Sequence, residues 1–259
     1  MDKLNITLVQ TNIFWEQIDS NLNMLQNKLK ILKYHGDIIV LPEMFSTGFS
    51  MNTSLAERLD GKSVKWMEKM ASEYNCVITG SLMIKEGIQT FNRLVWMRPD
   101  GSFETYNKRH LFRMMDEDKY FAPGSKRIII EYQNWRICPQ ICYDMRFPVW
   151  SRNKNDYDIL LYVANWPEIR QTAWKDLLKG RAHENQCYVI GVNRVGKDGR
   201  DIPFSGNSAV VGPKGENLWK AKSCIEQIKN VAISMNELED YRAKFPQYLD
   251  ADEFSIEGC

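Results

Sequence analysis

The sequence predicts an α/β domain in which two β-sheets are covered by helices. Three observations lead there: a strand–helix–strand opening, a series of strands through the middle of the chain, and further helices with one apolar face. Residues 4–9, "LNITLV", read as a strand and 37–41, "DIIVL", as a second, fully buried one. Between them Leu22, Leu25, Leu29 and Leu32 recur at helical spacing, with Asp19 or Ser20 as the cap. A connection of that length implies a right-handed crossover between parallel strands.

A second helix covers "SVKWMEKMASEY", where Val64, Met67, Met70 and Ala71 share a face. "CVITGSLMI", "FNRLVWMRP" and "FETYNK" read as successive strands, with the turn "RPDGS" between the last two. "RIIIEYQ" and "WRICPQIC" form a hairpin turned at Asn134. "DILLYVAN" and "CYVIGVN" are buried strands flanking the helix "RQTAWKDLLKGRAHENQ". Late strands fall at "SAVVG", "ENLWKA" and "IKNVAISM", followed by a short helix, "NELEDYRAKF", and an irregular acidic end. No repeat, low-complexity segment or linker interrupts the chain, so a single domain over 1–259 is expected.

Composition narrows the function classes. The chain has 259 residues, 44% hydrophobic and 26% charged, with a net charge of +1, an ordinary globular composition. The absence of a strong basic block argues against a nucleic-acid partner. No run approaches the roughly 18 apolar residues of a membrane span. The opening "MDKLNITLVQ" lacks the layout of a signal peptide, so a cytoplasmic location is expected. Six cysteines are sparse for a disulfide scaffold, and no Cys or His spacing suggests zinc.

Three residues at strand ends carry possible chemistry. Cys142 closes an apolar strand in "ICPQICYDMRFP", and the chain then turns toward a helix starting near Pro148. A lone cysteine is most often a small hydrophobe, but a strand-to-helix turn holds a nucleophile rigidly. There the backbone N–H of Tyr143 is placed to donate to an oxyanion. Glu43, in "LPEMFSTGF", follows a buried strand beside Met44, Phe45 and Phe49, and an apolar pocket would raise its pKa and make it a usable base. Lys108 ends the strand before "RHLF" and would stay protonated between two acids. Ligand sites in α/β sheets gather at such ends. Cys142 needs a proton acceptor, and the chain has three histidines, His35, His110 and His183.

In that order, "LPEMF", "YNKRHLF" and "ICYDMRFP" resemble the three motifs of the nitrilase superfamily of carbon–nitrogen hydrolases. "EDKYFAPG", "ANWP", "RAHENQ", "VNRVG" and "FSGNSAVVGPKG" match its other landmarks, so the resemblance covers nearly the whole chain. It implies a four-layer α-β-β-α sandwich of two mixed sheets, dimeric, with neither metal nor organic cofactor. It also implies Glu43 as proton acceptor, Cys142 as nucleophile, Lys108 as the family lysine and Glu117 as the acid that orients it. His110 then becomes a packing or network residue.

"LPEMFSTGF" with "KRHLF" is most similar to the omega-amidase branch, which acts on 2-oxo acid omega-amides such as 2-oxoglutaramate or 2-oxosuccinamate. The substrate carboxylate would then need a cation, for which Arg113 is the nearest candidate in sequence. Phe45, Tyr143 and Trp166 are expected along the pocket, and Asp144 with Arg146 as a structural pair. The tail, about 245–259, is expected at a dimer contact. A nitrilase or an N-carbamoyl hydrolase would use the same residues, and a catalytically silent binding module is the alternative outside enzymes.

Overall fold

The computed structural model describes residues 2–256. The first half of the chain comprises β1 (Lys3–Gln10), α1 (Ile18–Lys30), β2 (Ile38–Val40), α2 (Lys62–Tyr74), β3 (Val77–Glu86), β4 (Gln89–Met97), β5 (Phe103–Asn107), α3 (Glu117–Tyr120), β6 (Ile130–Tyr132) and β7 (Trp135–Ile141). Then come α4 (Pro148–Ser151), β8 (Ile159–Ala164), α5 (Gln171–Asn185), β9 (Tyr188–Asn193), β10 (Val195–Lys197), β11 (Pro203–Ser205), β12 (Ala209–Val211), β13 (Asn217–Lys220), β14 (Gln227–Ser234) and α6 (Met235–Lys244).

The strands form two six-stranded mixed sheets, in the orders β14-β1-β2-β3-β4-β5 and β13-β12-β9-β8-β7-β6. β1, β2 and β3 are parallel neighbours, as the α1 crossover requires, whereas β4, β5 and β14 join antiparallel. In the second sheet β7, β8 and β9 are parallel.

Period-two alternation explains the layering. Leu4, Ile6, Leu8, Ile38, Val40, Val77, Leu94 and Trp96 share a core with Ile137, Ile141, Leu161 and Val163 of the opposite sheet. Their neighbours Val9, Ile39, Leu41, Ile78, Val95 and Met97 point the other way, onto the leucines of α1 and the methionines of α2. α5 packs Trp174, Leu178 and Ala182 against the second sheet. The result is the expected α-β-β-α sandwich.

Three details differ from the sequence reading. α1 starts at Ile18 with Gln17 in the cap position, and neither Asp19 nor Ser20 caps it. Asn21 fixes the entry instead, accepting from Phe14 N–H at 2.7 Å and donating to the Phe14 and Ser46 carbonyls. The β10–β11 hairpin is additional, too short to leave a pattern. The tail forms a 3-10 turn at Gln247–Asp250 and then runs extended, with Lys154 Nζ donating to Phe254 O at 2.6 Å. Residues 257–259 of that tail lie outside the described residues. No helix among the described residues is long and apolar enough to cross a membrane.

Candidate active site

Each candidate side chain is aimed by local backbone geometry. After β2 the chain turns at Met44 (φ 43°) and Gly48 (φ 74°) and is pinned to β3 through Met44 N–H donating to Ser81 Oγ at 2.9 Å. The side chain of Glu43 thereby points inward and is wholly buried. Lys108 follows β5, where its N–H donates to Asn92 O at 2.9 Å. Glu117 opens α3, directly after Asp116 in the left-handed region.

These ends meet. Lys108 Nζ donates to Glu43 Oε1 at 2.9 Å and to both Glu117 oxygens at 3.0 and 2.9 Å. Asn92 Nδ2 bridges the two acids from the opposite side, 2.7 Å from Glu43 Oε1 and 3.2 Å from Glu117 Oε1. Asn165 N–H donates to Glu43 Oε2 at 2.8 Å, and Phe112 N–H to Glu117 Oε2 at 2.6 Å. The surroundings of the Glu43 carboxylate are therefore polar, not the apolar pocket expected. Met44 packs in a core cluster, and Phe49 lies under the ammonium, its ring centre 4.9 Å from Lys108 Nζ.

Cys142 stands where β7 ends and a 3-10 turn, Cys142–Arg146, begins, with φ 45°. Positive φ at a bulky residue costs about 1–3 kcal/mol and persists only where surroundings hold it. Asp144 does the holding. Its carboxylate accepts from Ile141 N–H (3.0 Å), Tyr106 OH (2.7 Å) and His110 N–H (2.9 Å), with His110 Nδ1 at 2.8 Å. His110 also stacks on Phe147 at 3.8 Å, the network role expected of it. Asp144 does not pair with Arg146, whose guanidinium lies over the Trp166 ring at 5.0 Å.

Asp144→Ala leaves these donors without their acceptor, at about 1–3 kcal/mol for each that stays buried and unpaired. We expect a stability loss of about 3 kcal/mol or more, read by urea unfolding, and a fall in turnover of at least tenfold as the elbow relaxes. An elbow indifferent to Asp144 would leave both unchanged.

The electrostatics follow from burial and net charge. Two carboxylates and one ammonium share one desolvated cluster. Burial alone would lower Lys108, but Glu117 and then Glu43 outweigh it and hold the ammonium above the usual lysine range. Burial raises Glu117, Lys108 opposes it and the charge of Glu43 adds to it. The Cys142 thiol sits well above the usual range, first through burial and then through Glu43, with Lys108 opposing. A thiol so placed rests protonated and needs a base as it reacts.

A cavity of about 420 Å³ gives solvent a route to the cluster, lined by Lys108, Cys142, Tyr143, Asn165 and Trp166 among others. Cys142 is 8% exposed. Two residues expected at the substrate, Phe45 on the pocket wall and Arg113 at the carboxylate, are elsewhere. Phe45 is buried in the α1–α2 layer against Trp66, because Gly80 lets its ring approach the β3 backbone; a Cβ there would lie 2.9 Å from that ring. Arg113 points to solvent, its side chain 86% exposed and 3.8 Å from Asp118. Phe49 and Phe112 supply aromatic wall in place of Phe45, and Arg146 and Arg170 bring guanidinium groups to the cavity. The β10–β11 hairpin closes another side through Asp198, Asp201, Ile202 and Phe204.

Sequence reasoning passed over Asn92, gave Asn165 no role beyond its place in "ANWP", and read Arg146 only as a structural partner of Asp144. The first had a visible signal, a polar residue inside the apolar strand "FNRLVWM". Asn165 directly follows a buried strand, the position where Glu43, Lys108 and Cys142 attracted notice. No group of three or more ligand-type side chains suited to a metal occurs among the described residues.

The family model "Carbon-nitrogen hydrolase" matches residues 5–243. A protein of Escherichia coli K12 named Omega-amidase YafV is 43% identical over 256 residues, covering 99% of this chain and 100% of that one. A Bacillus subtilis protein named 2-oxoglutaramate amidase is 31% identical, covering 96% and 97%. The crystal structure of XC1258 from Xanthomonas campestris, described as a CN-hydrolase superfamily protein with an arsenic adduct in the active site, superposes with a TM-score of 0.96. It is 41% identical and the match covers 99% and 100% of the two chains. The chain belongs to the carbon–nitrogen hydrolase family.

Proposed function

We propose that the protein hydrolyses the terminal amide of a small carboxylate-bearing substrate, an omega-amide of a 2-oxo acid, to the acid and ammonia. One observation carries the reading: a buried ammonium held 2.9 Å from the carboxylates of both Glu43 and Glu117, in a cavity shared with the Cys142 thiol. The relatives named Omega-amidase and 2-oxoglutaramate amidase support the substrate class.

In this mechanism Glu43 takes the Cys142 proton as sulfur attacks the amide carbon. Lys108 and the Tyr143 N–H hold the oxyanion, each donor being worth roughly 3 kcal/mol. Glu43 then protonates the departing nitrogen, ammonia leaves and a thioester remains on Cys142. Water, deprotonated by Glu43, attacks the thioester, and the acid is released as the thiol regains its proton. Glu117 keeps Lys108 charged and in position.

Arg146, over Trp166 and with no ion-pair partner among the described residues, replaces Arg113 as the cation for the substrate carboxylate. Arg146→Met is expected to raise KM for the 2-oxo acid amide at least tenfold with a much smaller change in kcat, whereas Arg113→Met leaves both near wild type. Equal effects of the two changes would reject this assignment.

Ammonia release from 2-oxoglutaramate, 2-oxosuccinamate, glutamine, a nitrile and an N-carbamoyl amino acid, assayed in parallel, tests the whole reading. The 2-oxo acid amides should be the best substrates. A faster nitrile or carbamoyl compound would move the protein to another branch, and no ammonia from any of them would favour a silent binding module. The five cysteines among the described residues are free, which suits a reducing cytoplasm. We further propose a homodimer; a monomeric mass in solution at working concentration would reject it.

A further inference from the structure

Asn165 grips Glu43 at both ends. Its backbone N–H donates to Glu43 Oε2 at 2.8 Å, and its side-chain Nδ2 donates to the Glu43 backbone carbonyl. A carbonyl oxygen only accepts, so the orientation of the Asn165 amide is decided by that contact. The other end, Oδ1, is buried and has no hydrogen-bond partner among the described residues. The residue is 4% exposed and lines the cavity that also exposes Cys142 and Lys108. An orphaned buried acceptor is unfavourable and calls for an explanation. Here the residue lines a cavity from which a donor can come.

The proposed reaction brings one. A primary carboxamide carries two N–H donors, and its nitrogen must lie beside Glu43, which protonates it. We propose that Asn165 Oδ1 accepts an N–H of the scissile amide, making Asn165 the leaving-group-binding residue; this rests on the amidase reading above. The contact orients the nitrogen so that its lone pair meets the Glu43 proton while one N–H faces Asn165. As the nitrogen gains that proton it becomes cationic, and its hydrogen bond to Oδ1 strengthens. The stabilisation therefore grows toward ammonia departure. A carboxylate or ester at the same place has no N–H to give, so the acid product loses the contact.

The test compares an omega-amide of a 2-oxo acid with the methyl ester of the same acid, in the wild type and in Asn165→Ala. Both compounds would form the same thioester on Cys142. Amide kcat/KM should fall at least about tenfold further than ester kcat/KM; the ester, which needs Glu43 as well, reads what is lost with the Nδ2 contact to the Glu43 carbonyl, and its turnover also shows that the variant is folded. Equal losses for both compounds would overturn the proposal and leave Asn165 as a support for Glu43 alone. An ester that the wild type does not turn over would overturn it too, because one lost hydrogen bond cannot silence an intrinsically more reactive acyl group. A wild type that hydrolyses the ester but no amide at all would reject the amidase reading instead.

A second measurement needs no turnover. In Cys142→Ala the amide should bind at least about tenfold more tightly than the ester, and Cys142→Ala/Asn165→Ala should lose that preference. Retention of the preference in the double variant would also overturn the assignment.

Discussion

Lys108→Met should lower kcat/KM by a thousandfold or so and destabilise the fold by about 3–5 kcal/mol, the range for removing one partner of a buried ion pair. Both effects have one cause. The ammonium is the only cation bonded to Glu43 and Glu117 among the described residues, and all three groups are buried. Without it the oxyanion loses a charged donor, and two carboxylates face each other with Asn92 between them.

The loss should depend on pH. Burial already raises Glu117, and Lys108 is the main influence opposing the rise, with the Phe112 N–H beside it, so the variant raises it further. A carboxyl group whose folded pKa is raised contributes stability that is fully present below its unfolded pKa, near 4.3, and lost as pH climbs through the folded value. The deficit of Lys108→Met relative to wild type should thus be small in acid and widen toward neutrality. Lys108→Met/Glu117→Gln should recover much of the stability at neutral pH with no recovery of turnover. Urea unfolding of the three proteins at several pH values reads this out, and a deficit independent of pH would contradict it.

Glu43→Gln should separate two properties usually lost together. Amide turnover is expected to drop by about 10³, within the range for a general acid–base residue, because a glutamine neither takes the thiol proton nor gives one to ammonia. Alkylation of Cys142 by iodoacetamide should persist or accelerate. After burial, the Glu43 charge is the main influence raising the thiol, while Lys108 opposes it. Removing the carboxylate leaves the cation, so the thiol pKa falls and more thiolate is present at a given pH. Intact-mass labelling beside ammonia release checks the pair. A parallel collapse of both would mean that Glu43 mainly supports the architecture of the site.

The strand ends were the most readable part of the site. Glu43, Lys108 and Cys142 each follow a run whose alternation or burial marks it as a strand, and a strand end is visible in one dimension. What lies between those ends is not. Phe45 looks like a pocket residue because it is two positions from Glu43, yet the left-handed turn at Met44 sends it beneath Gly80. Arg113 looks close to Lys108, but a 3-10 turn at Arg113–Met115 carries it into solvent. Asn92 and Asn165 contribute one hydrogen bond or two apiece to Glu43 from β4 and from the end of β8, 49 and 122 positions away in the chain. A local pattern can mark such an asparagine, but it does not say which acid it will meet.

By itself, the amino-acid order determined the strands, the helices and the two-faced alternation that stacks one sheet on another, because burial periodicity is a property of neighbouring residues. It also marked the three strand ends at which Glu43, Lys108 and Cys142 stand. Only tertiary packing decided which guanidinium reaches the cavity, how Glu43 is hydrogen-bonded, and that an asparagine of the cavity that Cys142 also lines keeps an acceptor unpaired among the described residues. Those outcomes depend on side chains from separate strands converging in a desolvated space, where distance along the chain carries no information about distance between atoms.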